Sequence, residues 1–190
     1  MRTLPFARLR VCLALGCLVL RGAAPETREV RMDAYTVSVP ANWWVQTDGP
    51  LDRVEACNKQ NGRCTGTGGG FPLTGVVFLS MMPAESAPEH DRYRTVHDIV
   101  TAVPRAGMPS PVISEVDLGP RGGRRQCEVA TSSPFGSERE EIYGLSVDGR
   151  LFRVWIKYDR PSTQTTYRQA VLAILSSDSP HGGRIETPLR

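Results

Sequence analysis

EREEIYGLSVDGRLFRVWIKY, residues 138–158, decides the fold. Asp148-Gly149 is the strongest local signal in it, because a two-residue type I′ turn needs positive φ at both central positions and this dipeptide tolerates that. The turn sets a register: Val147 faces Arg150, Leu145 faces Phe152, Tyr143 faces Val154 and Ile142 faces Trp155. Leu145, Phe152, Tyr143 and Val154 then share one face, which belongs on the core, since a one-residue slip would turn the whole set to solvent.

Outward from this hairpin the chain supplies its neighbours. Upstream, Val112 to Leu118 and Arg124 to Ser132 read as further strands, with Gly119-Pro120 and Ser133-Pro134-Phe135-Gly136 in the links. Downstream, Pro161 and a capping Ser162 or Thr163 open a helix with Tyr167, Val171, Ile174 and Leu175 at helical spacing. That stripe is expected to bury against the hairpin. From Ser179 on, Pro180, Gly182 and Gly183 predict a disordered tail over 179–190.

In the first half, Glu29 to Val39 predicts a strand with Tyr35, Val37 and Val39 on its core face, and Trp43-Trp44-Val45 begins a second, shorter extended piece. Trp43 and Trp44 cannot both point inward, so one belongs to the core and the other is a contact candidate. Thr74 to Met82 is a continuous apolar run, expected as a central strand covered on both faces. Glu89 to Val103 places Tyr93, Val96, Val100 and Val103 at helical steps before Pro104, which predicts an amphipathic helix. Between Asp48 and Pro72 no period survives, so residues 48–72 are read as a long Cys/Gly-rich loop.

A run of strands with one helix before it and one after predicts an α+β fold: a single-domain α/β/α sandwich on a mostly antiparallel sheet. The strand ending Val39-Pro40-Ala41-Asn42-Trp43, the mid-chain helix, the meander with its Asp148-Gly149 hairpin and the closing helix ending Ile174-Leu175-Ser176-Ser177 resemble the PsbP-like family. That fold is shared by the photosystem II extrinsic protein and a Ran-binding nuclear import factor. The resemblance spans about Tyr35 to Ser177, and a domain over 25–178 follows from it. It implies a binding role toward another protein, with no common enzymatic activity and no shared catalytic residues; neither a cofactor nor a metal is expected. The long loop departs from the family pattern, so no partner identity carries over.

The N-terminus orders Arg2, Arg8 and Arg10, an apolar run from Val11 to Leu20, then Arg21, Gly22, Ala23 and Ala24. This reads as a signal segment over 1–24 and implies export, to the periplasm or beyond. The run is shorter than a membrane span needs. Leu15-Gly16-Cys17 resembles the end of a lipobox, so a lipid anchor at Cys17 stands as the alternative. The formal charge of +3 comes from this segment, which holds four of the 23 basic residues and none of the 20 acidic ones. The remainder is near neutral, with no basic footprint for nucleic acid.

Cys57 and Cys64 close a short loop across Asn61-Gly62 and are read as a disulfide, leaving Cys127 unpaired; three free thiols are the alternative. A stapled loop is preorganised for binding, so Lys59, Arg63 and Phe71 within it, with Trp44, are the candidate partner-binding residues. Catalytic readings fare worse. Gly66-Thr67-Gly68-Gly69-Gly70 leads into a strand where a phosphate loop needs a helix. Ser146 sits in a strand, where a nucleophile elbow needs a strand-to-helix turn. His90 and His97 are seven apart, too far for one zinc pair on a helix. The reading is of a non-enzymatic binding protein; a small extracytoplasmic enzyme or a structural envelope lipoprotein are the rivals.

Overall fold

The computed structural model describes residues 26–59, 75–88, 90–102, 110–119, 125–133 and 138–180. Their order is β1 (Thr27–Arg31), β2 (Tyr35–Pro40), β3 (Trp44–Asp48), β4 (Arg53–Cys57), β5 (Val77–Pro83), α1 (Val96–Thr101), β6 (Val112–Glu115), β7 (Arg125–Ser132), β8 (Arg139–Val147), β9 (Arg150–Tyr158), α2 (Pro161–Ser177) and β10 (Ser179–Pro180). The strands form a seven-stranded sheet, β3-β4-β5-β9-β8-β7-β6, and a three-stranded one, β1-β2-β10. All neighbours pair antiparallel. The class is α+β in a single domain. The second sheet is an addition to the single sheet expected from sequence.

The β8–β9 hairpin adopts its expected register. Val147 faces Arg150, Leu145 faces Phe152, Tyr143 faces Val154 and Ile142 faces Trp155. Asp148 and Gly149 take φ of 51° and 86°, as a type I′ turn requires. The apolar run before it becomes β5, buried along its whole length between β4 and β9.

One face of the large sheet carries the main core. Leu79, Met81, Tyr143, Leu145, Phe152 and Val154 meet Val171, Ile174 and Leu175 of α2, with Tyr35, Val37 and Val39 of β2 closing the side. Each buried aliphatic or aromatic side chain of this kind contributes about 1.5–3 kcal/mol. The opposite face holds a smaller cluster of Met82, Ala84, Ala87, Tyr93, Ile99 and Ile142 beneath α1 and the turns before it. There α1 comes so close that any Cβ on Gly144 would run into the Val96 carbonyl.

Several boundaries differ from the sequence reading. The strand expected from Glu29 to Val39 is two strands, β1 and β2, reversed at Met32–Ala34. Asp52 causes the reversal, its carboxylate accepting the Asp33 and Ala34 N–H groups at 2.9 Å each. The loop expected over 48–72 contains β4, whose Val54 and Ala56 alternate into the core. Helix α1 starts only at Val96, because Thr95 accepts from the Asp98 N–H while Asp98 accepts from the Thr95 N–H. A separate 3₁₀ turn covers His90–Arg92. Neither Ser162 nor Thr163 caps α2; Arg160 holds that position with Pro161 in the first turn, and the Thr163 hydroxyl donates to Asp159. Ser179 and Pro180, expected in a loose tail, pair with Thr36 and Tyr35. The segment over 1–24 read as a signal, with Cys17, lies outside the described residues, as do residues 181–190.

Candidate binding face of the large sheet

Helix α1 packs on β7 and β8, and the turns before it cover Met82 and the adjoining part of β9, so the rest of that face of the sheet is left to side chains from β3, β4, β5 and β9. Strand alternation determines which they are. In one row Gln46 faces Glu55, Glu55 faces Ser80 and Ser80 faces Trp155. In the next, Trp44 faces Cys57, Cys57 faces Phe78 and Phe78 faces Lys157. On the other side of the first row lie Asp48 beside Arg53 and Met82 beside Arg153. The face is therefore mixed: two tryptophans and a phenylalanine among paired and unpaired charges.

Its aromatic end is built on Cys57, Val76 and Phe78, with Trp44 and Trp155 packed half-buried against them. The Phe78 and Trp155 rings meet edge to face, 5.8 Å between centroids. Its charged end is networked. Arg53 reaches Asp48 at 2.9 Å and Glu55 at 3.5 Å, and Lys157 reaches Glu138 at 2.9 Å. Arg153 and Trp155 stand apart from this network: the Arg153 Nε and the Trp155 indole nitrogen are buried and meet no acceptor.

Of the residues singled out from sequence, the structure brings together Trp44, Cys57 and Lys59. Trp43 is the core partner of the tryptophan pair, edge-on to Tyr167 at 6.2 Å, and Trp44 is half-buried on the candidate face. Cys57 is fully buried and disulfide-bonded. Lys59 follows it, half-buried, its N–H 3.3 Å from the Cys57 sulfur. Arg63, Cys64 and Phe71 lie outside the described residues. The chain on either side of that segment is pinned: Asn58 donates to the Gly75 carbonyl at 2.8 Å and accepts from the Val77 N–H at 3.1 Å. Asp159 accepts from the Gly75 and Val76 N–H groups at 2.7 and 3.2 Å. Burial pushes the Asp159 carboxyl up, but the Thr163 hydroxyl and the Gly75 N–H outweigh it, so the net shift is downward.

Sequence reasoning passed over Arg53, Glu55, Arg153 and Trp155. A signal for the last two was present, because the register that sends Phe152 and Val154 to the core sends Arg153 and Trp155 to the other face. Arg53 and Glu55 belong to a five-residue strand too short to show a period in the sequence.

The catalytic candidates remain apart. Cys127 is buried and unpaired, and burial, with Glu128 adding to it, pushes its thiol up to about 12, far from a thiolate nucleophile. His90 and His97 do not share a helix: His90 Nδ1 lies 3.0 Å from the Ala87 carbonyl, and His97 Nδ1 lies 2.9 Å from Glu128. Among the described residues no three His, Cys, Asp or Glu side chains gather as a metal site. No described helix is long and apolar enough to cross a membrane.

No protein-family profile matches the chain, and no curated protein matches it. Among solved structures it is similar to the Ran-binding protein Mog1p of Saccharomyces cerevisiae, at 9% sequence identity and a TM-score of 0.44, over 82% of this chain and 96% of that one.

Proposed function

We propose that this chain is an exported, non-enzymatic binding or accessory protein that recognises another protein through the part of the large sheet left uncovered by α1. The observation that carries this reading is the composition of that face: Trp44 and Trp155 half-buried among Arg53, Glu55 and Lys157. Interface cores are enriched in tryptophan and arginine, and a rigid sheet presents them with little ordering cost. Cys57 stands at the aromatic end of the same face, so Lys59, two residues on, extends the surface; Arg63 and Phe71 are proposed as partner contacts on the sequence alone.

Affinity capture from the native envelope fraction tests the reading. Trp44→Ala and Glu55→Lys should each weaken capture of the same partner at least tenfold, while Gln169→Lys, on the exposed side of α2, should leave it unchanged. Equal capture by all three would remove the face from consideration. Export is tested by fractionation, and a full-length chain retaining Met1, soluble in the cytoplasm, contradicts it.

A further inference from the structure

Three cations lie on the binding face, and they differ in their partners. Arg53 has Asp48 and Glu55, and Lys157 has Glu138. Arg153 has neither an ion pair nor a hydrogen bond among the described residues, although it sits half-buried on β9, the middle strand of the seven. Its register neighbours cannot answer it, being Met82 on β5 and Gly144 on β8. Only the Nε of its guanidinium is fully buried, and a guanidinium partly withdrawn from water without an acceptor is disfavoured by desolvation. Two residues along the strand, on the same face, the Trp155 indole N–H is buried and equally unanswered. The Nη groups of Arg153, not fully buried and without a partner among the described residues, are the donors that an anionic acceptor from outside can reach, with the buried indole N–H beside them.

We infer that Arg153, with Trp155 beside it, anchors a carboxylate on an acidic segment of a protein partner. The inference rests on the proposed use of this face and specifies the partner's chemistry. A guanidinium offers a planar fork that matches a carboxylate in two parallel hydrogen bonds. Asp48 and Glu55 border the same face, which favours a singly charged carboxylate over a phosphate dianion. Lys157 and Arg53 are already neutralised, so the single open charge defines one anchor point.

The test follows the Trp155 indole N–H by nuclear magnetic resonance in the full chain, the signal assigned by its loss in Trp155→Phe. The probes are N-acetylglutamate, its amide analogue N-acetylglutamine, and inorganic phosphate. Saturable movement of the indole signal is expected with N-acetylglutamate, at least tenfold weaker with N-acetylglutamine or phosphate, and lost in Arg153→Met. Arg153→Lys keeps the charge without the fork and should weaken the response several-fold; if the methionine variant does not fold, the lysine variant and the amide comparison decide. No saturable movement, an equal response in Arg153→Met, or tighter binding of phosphate overturns the inference. Capture of the native partner separates the two readings. If Trp44→Ala abolishes capture while Arg153→Met leaves it intact, the face stands and the carboxylate anchor falls.

Discussion

Glu141 and Asp178 are both fully buried carboxylates at helix α2, one near each end, and their surroundings are opposite. Glu141, on β8, is met by three donors: Tyr143 at 2.8 Å, Tyr158 at 2.9 Å and Gln164, in the first turns of α2, at 2.6 Å. Asp178, just past the last turn, receives no hydrogen bond of normal geometry on either oxygen, though the Ser179 N–H leans toward it. The helix dipole favours an anion at the first position and opposes one at the second. At the C-terminal end the carbonyls are served by Arg125, which donates to Ser176 at 2.5 Å and to the Asp178 carbonyl at 2.7 Å. Burial raises the Asp178 carboxyl to about 7, and the nearby charges of Arg125 on β7 and Arg150 on β9 only partly offset it. Burial also raises the Tyr143 and Tyr158 hydroxyls, with Glu141 adding to it, which keeps both protonated as donors. Burial of a carboxylate is thus tolerable or costly according to what faces it.

The largest effect is expected from Glu141→Ala. Two tyrosine hydroxyls and the Gln164 amide lose their acceptor in the core, so the domain should lose about 3–5 kcal/mol in urea unfolding. A loss under about 1 kcal/mol would mean that water replaces the carboxylate, and the contrast with Asp178 would collapse.

Asp178→Asn should act in the other direction. The folded carboxyl titrates near 7 while that of an unfolded aspartate titrates near 3.8. The folded chain therefore binds more protons between those values, and stability is greatest below about pH 4 and falls as pH rises toward 7. The asparagine variant should lack that decline and be more stable than the parent at pH 8, by about 2 kcal/mol once the unpartnered amide is discounted. Tyr35 also faces this site, its hydroxyl held by the Met81 carbonyl at 3.0 Å, and stays neutral throughout the range. Parallel stability profiles for parent and variant from pH 4 to 8 would show that Arg125 and Arg150 already neutralise Asp178.

The smallest effect belongs to Tyr158→Phe, which removes one donor and leaves Glu141 two. About 1.5 kcal/mol is expected, the range for a hydrogen bond to a charged group. A cost equal to that of Glu141→Ala would show the cluster to be all-or-none and sharpen its difference from the isolated Asp178.

Of the elements around these two residues, the sequence by itself determined those with local causes. Asp148-Gly149 favours a type I′ hairpin, and that turn alone places Leu145, Phe152, Tyr143 and Val154 on the core face. The stripe Val171, Ile174 and Leu175 determined which side of α2 is buried. Trp44 and Lys59 stand out as candidates from the sequence, since an aromatic pair and a long Cys/Gly-rich stretch are visible without a fold. Arg53, Glu55, Arg153 and Trp155 share one face only because β4 lies beside β5 and β5 beside β9, pairings of residues from 21 to over 70 positions apart that no local pattern encodes. Asp52 reversing the chain at Met32–Ala34 is of the same kind. Tertiary structure alone decided these features, because a charge acquires its partner, or is left without one, only when distant strands meet.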